Sequence, residues 1–424
     1  MTREEAGMRE TWRKTYIVGA AMTPFGRFPA TSLASLAQQA ASGALADAGA
    51  EASAVQSIVF ANATQGALEG QHGIRGQSAL DGAGFGNSGV VNVENACASA
   101  STALNLANVM VGSGAYDCVL AIGAEKMVTP DAAKSMAVFE GSWDLSRRDQ
   151  TIADLIAMGA GMVVPAGAET GQARSVFMDV YAAFCRHHMA RFGVTQRQMA
   201  AVSAKNHGHS VENPLSQYRK AFSIEQVLAA RTIAWPLTLP MCSPISDGAA
   251  AALICTRSVA ERLGQAARAV RIRASVLMSG DHRDPDDIEN HVARKAGRRA
   301  YEVAGVGPED VDVVECHDAT AFGEILQSEM LGFFPLGAGG LAAEHGETTI
   351  GGRIPFNPSG GLESKGHPIG ATGLGQVFEI VSQLRGEAGA RQVQGARIGL
   401  IENGGGLRGI EEAAVAITML ERAG

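Results

Sequence analysis

The sequence lacks the patterns that mark several common classes of protein. None of its six cysteines stands in a CxxC spacing, and no HxxxH helix or Cys/His cluster occurs, so we expect no zinc ribbon, dithiol redox centre or other metal site. No strand–GxGxxG–helix unit occurs near the N-terminus, and no GxxxxGK[ST] motif occurs in the chain. Dinucleotide and nucleoside triphosphate sites are therefore poorly supported.

Charge and hydropathy argue against further classes. The formal net charge is -8 and no run of Lys or Arg exceeds two residues, which speaks against a nucleic-acid surface. No apolar run approaches ~18 residues, so no membrane span is expected. The N-terminal stretch "MTREEAGMRETWRK" has no apolar segment of the kind found in signal peptides. We therefore expect a cytoplasmic protein with reduced thiols.

The composition is that of a folded protein with a large core. The 424 residues are 46% hydrophobic and 18% charged, and 52 glycines stand against 14 prolines, which favours many tight connections over disorder. Short apolar runs such as "DCVLAIGAE" alternate with helical runs such as "SLASLAQQAASGALADAG". This alternation predicts an α/β fold, with a mostly parallel sheet and helices on both of its faces.

The alternation of helices and strands repeats along the chain. Residues 44–64 and 300–320 align without gaps, and both run from a helix through a short loop and a strand to a polar end. Between about 126 and 240 the alternation breaks down, which indicates an inserted loop domain that helps to build the ligand site. We predict an N-terminal half over residues 1–257, including this insertion, and a similar C-terminal half over 258–424.

A cysteine at the start of a helix is the first candidate for chemistry. Cys97, in "NACASAS", stands where a strand-like run ends and a helical run begins. The partial positive charge and free N–H groups of a helix N-terminus stabilise a thiolate. The alternative, that Cys97 is a small buried thiol as most cysteines are, stays open on this position alone. The other five cysteines lack a comparable setting, so we expect them to be buried.

Two histidines and a glycine run also stand where elements meet. His367 lies in "KGHPIGATG" and His317 in "VVECHDATAFGE", and in a fold of two similar halves both could converge with Cys97. One histidine near a thiol can take its proton, and a second can hold an oxyanion, although a lone histidine is more often structural. The glycines of "ENGGGLRG" (402–409) either let a backbone N–H approach a ligand or form a structural turn.

Taken together, these pieces resemble the thiolase superfamily over nearly the whole chain. The matching segments, in order, are "NACASAS", "GAEKM", "CSPISDGAAAALI", "HDATA", "NPSGGLESKGHPIGATG" and "ENGGG". The "HDA" piece is most similar to the sterol-carrier-type and archaeal-like branch. The resemblance implies an α/β thiolase fold, in which two duplicated halves form a five-layer α-β-α-β-α sandwich, in a homodimer or homotetramer. It also implies coenzyme A as a substrate or co-substrate, with no bound cofactor and no metal.

The resemblance further implies roles for single residues. Cys97 would attack a thioester or β-ketone carbonyl and carry the acyl group, and His367 would activate Cys97. His317 would help to hold one oxyanion, and the backbone N–H groups of Cys97 and Gly404 would hold another. The remaining candidate substrate contacts in the matching segments are Asn403 and Ser359.

One catalytic group of the family has no counterpart. Many thiolases have a second cysteine as acid/base at the substrate α-carbon, in a CxG motif or directly after "HD"; here these positions are Glu402 and Ala319. Strand alternation should point Cys316 away from the face of His317. We hypothesise that Glu402, a carboxyl group whose pKa burial would raise, replaces the cysteine as general base. The alternative, a structural or helix-capping carboxylate, stays open.

The sequence therefore predicts an acyl-CoA acyltransferase of the thiolase type. It would cleave or form β-ketoacyl-CoA through an acyl-enzyme on Cys97, in lipid or aromatic degradation. One alternative is a thiolase-like retro-aldolase or non-CoA acyltransferase that works with a small zinc-ribbon/OB-fold partner protein. A second alternative is a non-catalytic scaffold that binds acyl-CoA, against which the intact Cys/His/His set argues.

Overall fold

The computed structural model describes residues 12–168 and 174–423, and eleven strands lie within them. The strands are β1 (Thr15–Met22), β2 (Ser57–Ala61), β3 (Gly89–Val93), β4 (Cys118–Lys126), β5 (Thr232–Ala234), β6 (Leu237–Thr238), β7 (Asp247–Thr256), β8 (Val270–Ser279), β9 (Val313–Glu315), β10 (Ile398–Gly405) and β11 (Ala414–Arg422). Residues 1–11 lie outside the described residues. They are most of the N-terminal stretch on which the prediction of no signal peptide rests.

The α-helices of the described residues range from single turns to four or five turns. They are α1 (Leu33–Ala48), α2 (Gln65–Glu69), α3 (Arg75–Ala79), α4 (Ser99–Gly112), α5 (Ala132–Ala137), α6 (Arg148–Met158), α7 (Val176–Phe192), α8 (Gln196–Val211), α9 (Ile224–Leu228), α10 (Arg257–Arg262), α11 (Val292–Ala304), α12 (Ala321–Met330), α13 (Gly339–Glu344), α14 (Gly361–Lys365) and α15 (Thr372–Arg385). In the part of the chain covered by the structure, no helix is both long enough and apolar enough to cross a bilayer.

Nine strands join into one sheet in the order β3-β2-β4-β7-β1-β8-β11-β10-β9, and β5 pairs with β6. The expectation of a mostly parallel sheet is wrong. Parallel pairs occur towards the two edges, where β2 pairs with β3 and β4 and where β9 pairs with β10; the pairs between β4 and β10 are antiparallel. The connection from β10 to β11 is too short for a parallel crossover, which needs a dozen or more residues, so these two strands run antiparallel.

The hydrophobic core divides the molecule into five layers. Helix α1 packs on the outer face of β1, β4 and β7, while α4 and α15 lie on the inner face of strands from both halves of the sheet. Helix α11 covers the outer face of β8 and β11. The two halves of the sheet are joined by only three residue pairs between β1 and β8. This α-β-α-β-α arrangement is the predicted fold class, which is confirmed.

The segment between β4 and β7 contains α5 to α9 and the β5–β6 hairpin. Its apolar side chains, among them Cys185 and Met199, cluster with Phe322 and Ile325 of α12. Since α12 follows β9 directly, this packing places the segment beside the end of β9, where His317 lies. The predicted division of the chain at residue 257 falls between β7 and β8, and it stays a prediction.

Candidate active site

The turn that holds Cys97 connects β3 to α4. Ala96 has a φ of 47°, which is uncommon for a residue with a side chain. The turn is closed because the Ala98 amide donates to the Asn95 carbonyl at 2.9 Å and the Asn95 amide donates to Ser99 Oγ at 2.9 Å. Five of the six cysteines are buried, as predicted, and Cys97 alone is partly exposed. The turn therefore holds this thiol at the surface of a cavity.

His367 lies directly against this thiol. Its Nε2 is 3.3 Å from Cys97 Sγ, and its Nδ1 is 2.7 Å from Thr372 Oγ1. The Thr372 hydroxyl donates its only proton to the Pro368 carbonyl at 3.0 Å, so it must accept a hydrogen bond from the Nδ1–H of His367. The proton of the neutral ring is then on Nδ1, and Nε2 presents a lone pair to the sulfur. This is the tautomer that a base acting on Cys97 needs.

Burial determines the protonation states of Cys97 and His367 at rest. Burial, together with the negative charges of Glu125 and Glu94, raises the pKa of Cys97 to about 12. Burial and the neighbouring His317 hold the pKa of His367 well below its usual value. The resting pair is therefore a neutral thiol and a neutral imidazole. The helix N-terminus favours the thiolate, whereas burial of the sulfur favours the thiol, and the assignment of His367 as the group that activates Cys97 stays a prediction.

His317 completes the group. Its ring lies edge-on to that of His367, with 5.2 Å between ring centroids, and its buried Nε2 has no hydrogen-bond partner in the part of the chain that the structure describes. Burial lowers the pKa of His317 to about 4, so the ring is neutral. Side-chain ligand atoms of Cys97, His317 and His367 all lie within 4.8 Å of one another, as predicted from their settings in the sequence. A metal ion could be held at this spacing too, and the expectation of a metal-free site stays a prediction.

Strand β10 separates the other predicted site residues onto two faces. Asn403 faces α4, where its Oδ1 accepts from Ser101 Oγ at 3.2 Å. Glu402 points to the opposite face, as strand alternation requires, and its Oε2 accepts from the His317 amide at 2.8 Å. Burial and the neighbouring Glu412 raise the pKa of Glu402 to about 8, and its Oε1 has no partner. The prediction that Glu402 is the general base stays a prediction.

Two more predicted residues lie near this group without lining its cavity. A Cβ atom on Gly404 would lie 2.8 Å from Glu412 Cγ, so a glycine leaves room for that side chain. Ser359 is buried, and its Oγ donates to Glu315 Oε2 at 2.8 Å. The same Oε2 pairs with Lys365 Nζ at 3.1 Å. Ser359 therefore stabilises the end of β9, and its role in substrate binding stays a prediction.

Several residues at the site were missed in the sequence. The Ser246 hydroxyl accepts from the His367 amide at 2.9 Å, and Glu125 Oε2 accepts from the Gly370 amide at 3.0 Å. With Thr372, these residues fix the loop that carries His367. Ser246, Glu125 and Thr372 all lie in the matched segments "CSPISDGAAAALI", "GAEKM" and "GHPIGATG", but nothing in their spacing indicates that their partner is one histidine.

Two adjoining cavities open at this group. The larger, of about 830 Å³, is lined by Cys97, His317 and His367 and also by basic side chains that include Arg219 and Lys220. The smaller, of about 70 Å³, is mainly apolar and contains several aromatic rings. Both are lined by Phe177, Tyr181, His317, Gly406 and Glu412. The two cavities therefore adjoin at His317 and Glu412.

Models of known families match both halves of the chain. The model "Thiolase, N-terminal domain" matches residues 15–230, and "Thiolase C-terminal domain-like" matches residues 275–418. The chain belongs to the thiolase family. Its activity is accordingly that of an acyl-CoA acyltransferase of the thiolase type, and the predicted resemblance is confirmed.

Relatives of this thiolase match it over most of its length. An acetyl-CoA acetyltransferase of Methanothermobacter thermautotrophicus is 38% identical over 94% of this chain and 97% of that protein. Human sterol carrier protein 2 is 35% identical over 93% of this chain and 70% of that protein. Among solved structures, one entitled "Ltp2-ChsH2(DUF35) aldolase" aligns with a TM-score of 0.74 over 97% of this chain and 98% of that chain, at 21% identity. This last similarity shows the fold alone.

Proposed function

We propose that this thiolase transfers an acyl group through a thioester on Cys97, and so cleaves or forms β-ketoacyl-CoA. The observation that carries the proposal is the 3.3 Å contact between Cys97 Sγ and an imidazole nitrogen whose lone pair is free. Because Cys97 rests as a thiol, the sulfur must lose its proton as it attacks the carbonyl carbon. His367 Nε2 takes that proton, and Thr372 keeps the ring in the required tautomer.

The negative charge that forms on the attacked oxygen needs hydrogen-bond donors. His317 is neutral, a ring nitrogen of it lies within 4.8 Å of Cys97 Sγ, and its buried Nε2 has no partner among the described residues, so in the Nε2–H tautomer it can donate to an oxyanion. The amide groups of Cys97 and Gly404 are the second proposed donor pair. The Glu402 carbonyl accepts from Gln376 Nε2 rather than from a backbone amide. Residues two apart on a strand direct their backbone groups to the same edge. The Gly404 amide therefore points to the same edge of β10 as the Glu402 carbonyl, away from β11.

Coenzyme A would occupy the larger cavity. The family acts on CoA thioesters, and basic side chains at this cavity suit the phosphates of CoA while its interior is mainly apolar, as the pantetheine arm requires. The basic residues that line it are Arg27, Arg174, Arg219, Lys220 and Arg231. The smaller cavity, with its aromatic wall, would take the end of the acyl group, which agrees with an acyl substrate from lipid or aromatic degradation.

A partnered aldolase is the second candidate. The solved aldolase with the same fold has a DUF35 protein in its title, which supports the proposal that this chain also binds a small zinc-ribbon/OB-fold protein. Retro-aldol cleavage needs no acyl-enzyme, so the close contact of Cys97 with His367 favours acyl transfer. The predicted homodimer or homotetramer, the cytoplasmic location and the absence of a bound cofactor stay predictions.

Intact-protein mass spectrometry tests the acyl-enzyme directly. The purified chain is mixed with acetyl-CoA and a panel of longer and aromatic acyl-CoAs. We expect a mass increase that matches the acyl group in the wild type and none in Cys97→Ala. An adduct that persists in Cys97→Ala, or no adduct with any donor, would contradict acyl transfer through Cys97 and would favour the aldolase.

A further inference from the structure

The Glu412 carboxyl group lies at the junction of the two cavities, and the proposed mechanism gives it no role. Its Oε1 accepts from Gln327 Nε2 at 3.0 Å, while its Oε2 is buried and has no hydrogen-bond partner among residues 12–168 and 174–423. The nearest histidine nitrogen, His291 Nε2, is 4.0 Å from Oε2, which is too far for a hydrogen bond. A buried, unpartnered carboxyl oxygen costs stability and is rare, so its position at a cavity wall needs an explanation such as a catalytic role.

The loop between β10 and β11 holds Glu412 in this place. The preceding residue, Glu411, pairs with Arg283 at 2.7 Å and accepts from the amides of Asp281 and Val292 at 2.8 and 3.1 Å. These bonds anchor the loop on one side. On the other side, Gly404 has no side chain to occupy the space of Glu412 Cγ. Glu412 is therefore directed to the junction by a rigid loop and a glycine.

Two other titratable side chains, Tyr181 and His317, also line both cavities. Burial raises the pKa of the Tyr181 phenol well above its usual value, so it stays protonated and is a poor base. Burial lowers the pKa of His317 to about 4, which makes it a weak base as well. For Glu412, burial and the adjacent Glu411 raise the pKa of the carboxyl group, in the direction that suits exchange of a proton with carbon.

We propose that Glu412 is the acid/base at the α-carbon of the CoA thioester, a task for which the sequence suggested Glu402. Glu402 is fully buried behind the His317 amide, whereas the Glu412 side chain is 19% exposed and lines the cavity that contains Cys97. The proposal rests on the proposed function, since it supplies the proton transfer that breaking or making the carbon–carbon bond requires.

The steps balance in the direction of cleavage. Cys97 sulfur bonds to the β-carbonyl carbon, and its proton passes to His367 Nε2. The bond between the α- and β-carbons breaks, the electron pair stays on the α-carbon as the enolate of the departing CoA thioester, and the protonated Glu412 gives its proton to that carbon. The thiol of a second CoA then loses its proton to solvent and attacks the acyl-enzyme, while the Glu412 carboxylate regains a proton from solvent. Cys97 leaves as a thiolate and regains its proton from His367.

The test separates carbon chemistry from acyl transfer. Glu412→Gln keeps an oxygen that can accept from Gln327 and removes the exchangeable carboxyl proton. With acetyl-CoA in D₂O, mass spectrometry measures both acetylation of Cys97 and deuterium incorporation at the methyl carbon. We expect Glu412→Gln to lower deuterium incorporation by about 100-fold or more, with acetylation of Cys97 within about threefold of wild type. Glu402→Gln, run in parallel, should lose less.

Each contrary result identifies what has failed. Deuterium incorporation near the wild-type rate in Glu412→Gln overturns the inference, and a loss confined to Glu402→Gln assigns the proton transfer to Glu402 instead. Equal loss of acetylation and exchange in Glu412→Gln shows a structural role and also overturns it. An acetylated wild type that incorporates no deuterium overturns it as well. Absence of acetylation in the wild type would instead be the failure of the proposed function.

Discussion

Thr372→Val removes the hydroxyl oxygen that holds the His367 ring in its productive tautomer. Valine keeps the branched shape of threonine, so the packing around the ring is largely preserved. In the wild type, the Nδ1–H of His367 donates to Thr372 Oγ1 at 2.7 Å. In the variant, that buried N–H has no acceptor, and the alternative tautomer, with its proton on Nε2, meets Cys97 with a donor rather than a lone pair.

The size of the effect follows from the cost of an unsatisfied buried donor. Leaving such a group without a partner costs about 1–3 kcal/mol, and about 1.4 kcal/mol corresponds to a tenfold change in population. The productive tautomer is therefore about 5- to 150-fold less populated. We expect the rate of Cys97 acylation by acetyl-CoA to fall by the same factor, with little change in the affinity for CoA, since Thr372 does not line the cavity proposed for CoA.

Rapid quenching followed by intact-protein mass spectrometry measures that rate. Thr372→Ser restores the hydroxyl and should acylate within about threefold of wild type, and a thermal melt of both variants controls for the fold. If Thr372→Val acylates as fast as Thr372→Ser, the hydroxyl does not set the tautomer, and the reasoning is refuted.

Two further predictions concern His317 and Glu402. His317→Ala should slow acylation of Cys97 by about 100-fold or more, since an oxyanion donor is lost, yet leave its alkylation by iodoacetamide nearly unchanged because that reaction forms no oxyanion; equal losses in both would contradict the assignment. Glu402 has a pKa of about 8 in the folded chain against an ordinary 4.5, so it binds more protons when folded, and its stabilisation, complete below 4.5, is lost as the pH rises through 8. Between pH 4.5 and 8, the free energy of unfolding of Glu402→Gln should therefore fall less steeply with pH than that of the wild type, by about 1.4 kcal/mol for each pH unit. Urea titrations at pH 5 to 9 measure this slope. A variant with the wild-type slope would contradict the raised pKa of Glu402.

Much of the site could be predicted because its signals are local. Cys97 and His367 each stand where a loop meets a helix, and the small and glycine residues beside each of them indicate a turn at that position. The alternation of apolar runs with helical runs was sufficient for the α/β class, since periodicity depends only on which face of an element is buried. The direction of the strands was not predictable in this way, because buried parallel and antiparallel strands have the same apolar composition in this chain.

The general base shows where local signals end. Position 402 was chosen by its alignment with a family motif, but strand alternation turns Glu402 behind the His317 amide. Glu412 does not lie in any of the segments that match the family. Its place at the junction of the cavities depends on the Arg283 anchor and on the space left by Gly404, which are distant from one another in the sequence.

By itself, the sequence determined the family, the layered α/β architecture and three of the groups that meet at the site. Those features depend on side-chain identity and on short-range turn and helix preferences. Only the tertiary structure decided that Cys97 rests as a neutral thiol, which tautomer His367 adopts and that Glu412, rather than Glu402, lines the cavity. These properties depend on burial and on contacts between residues up to 270 positions apart, such as Cys97 and His367, and no local pattern records them.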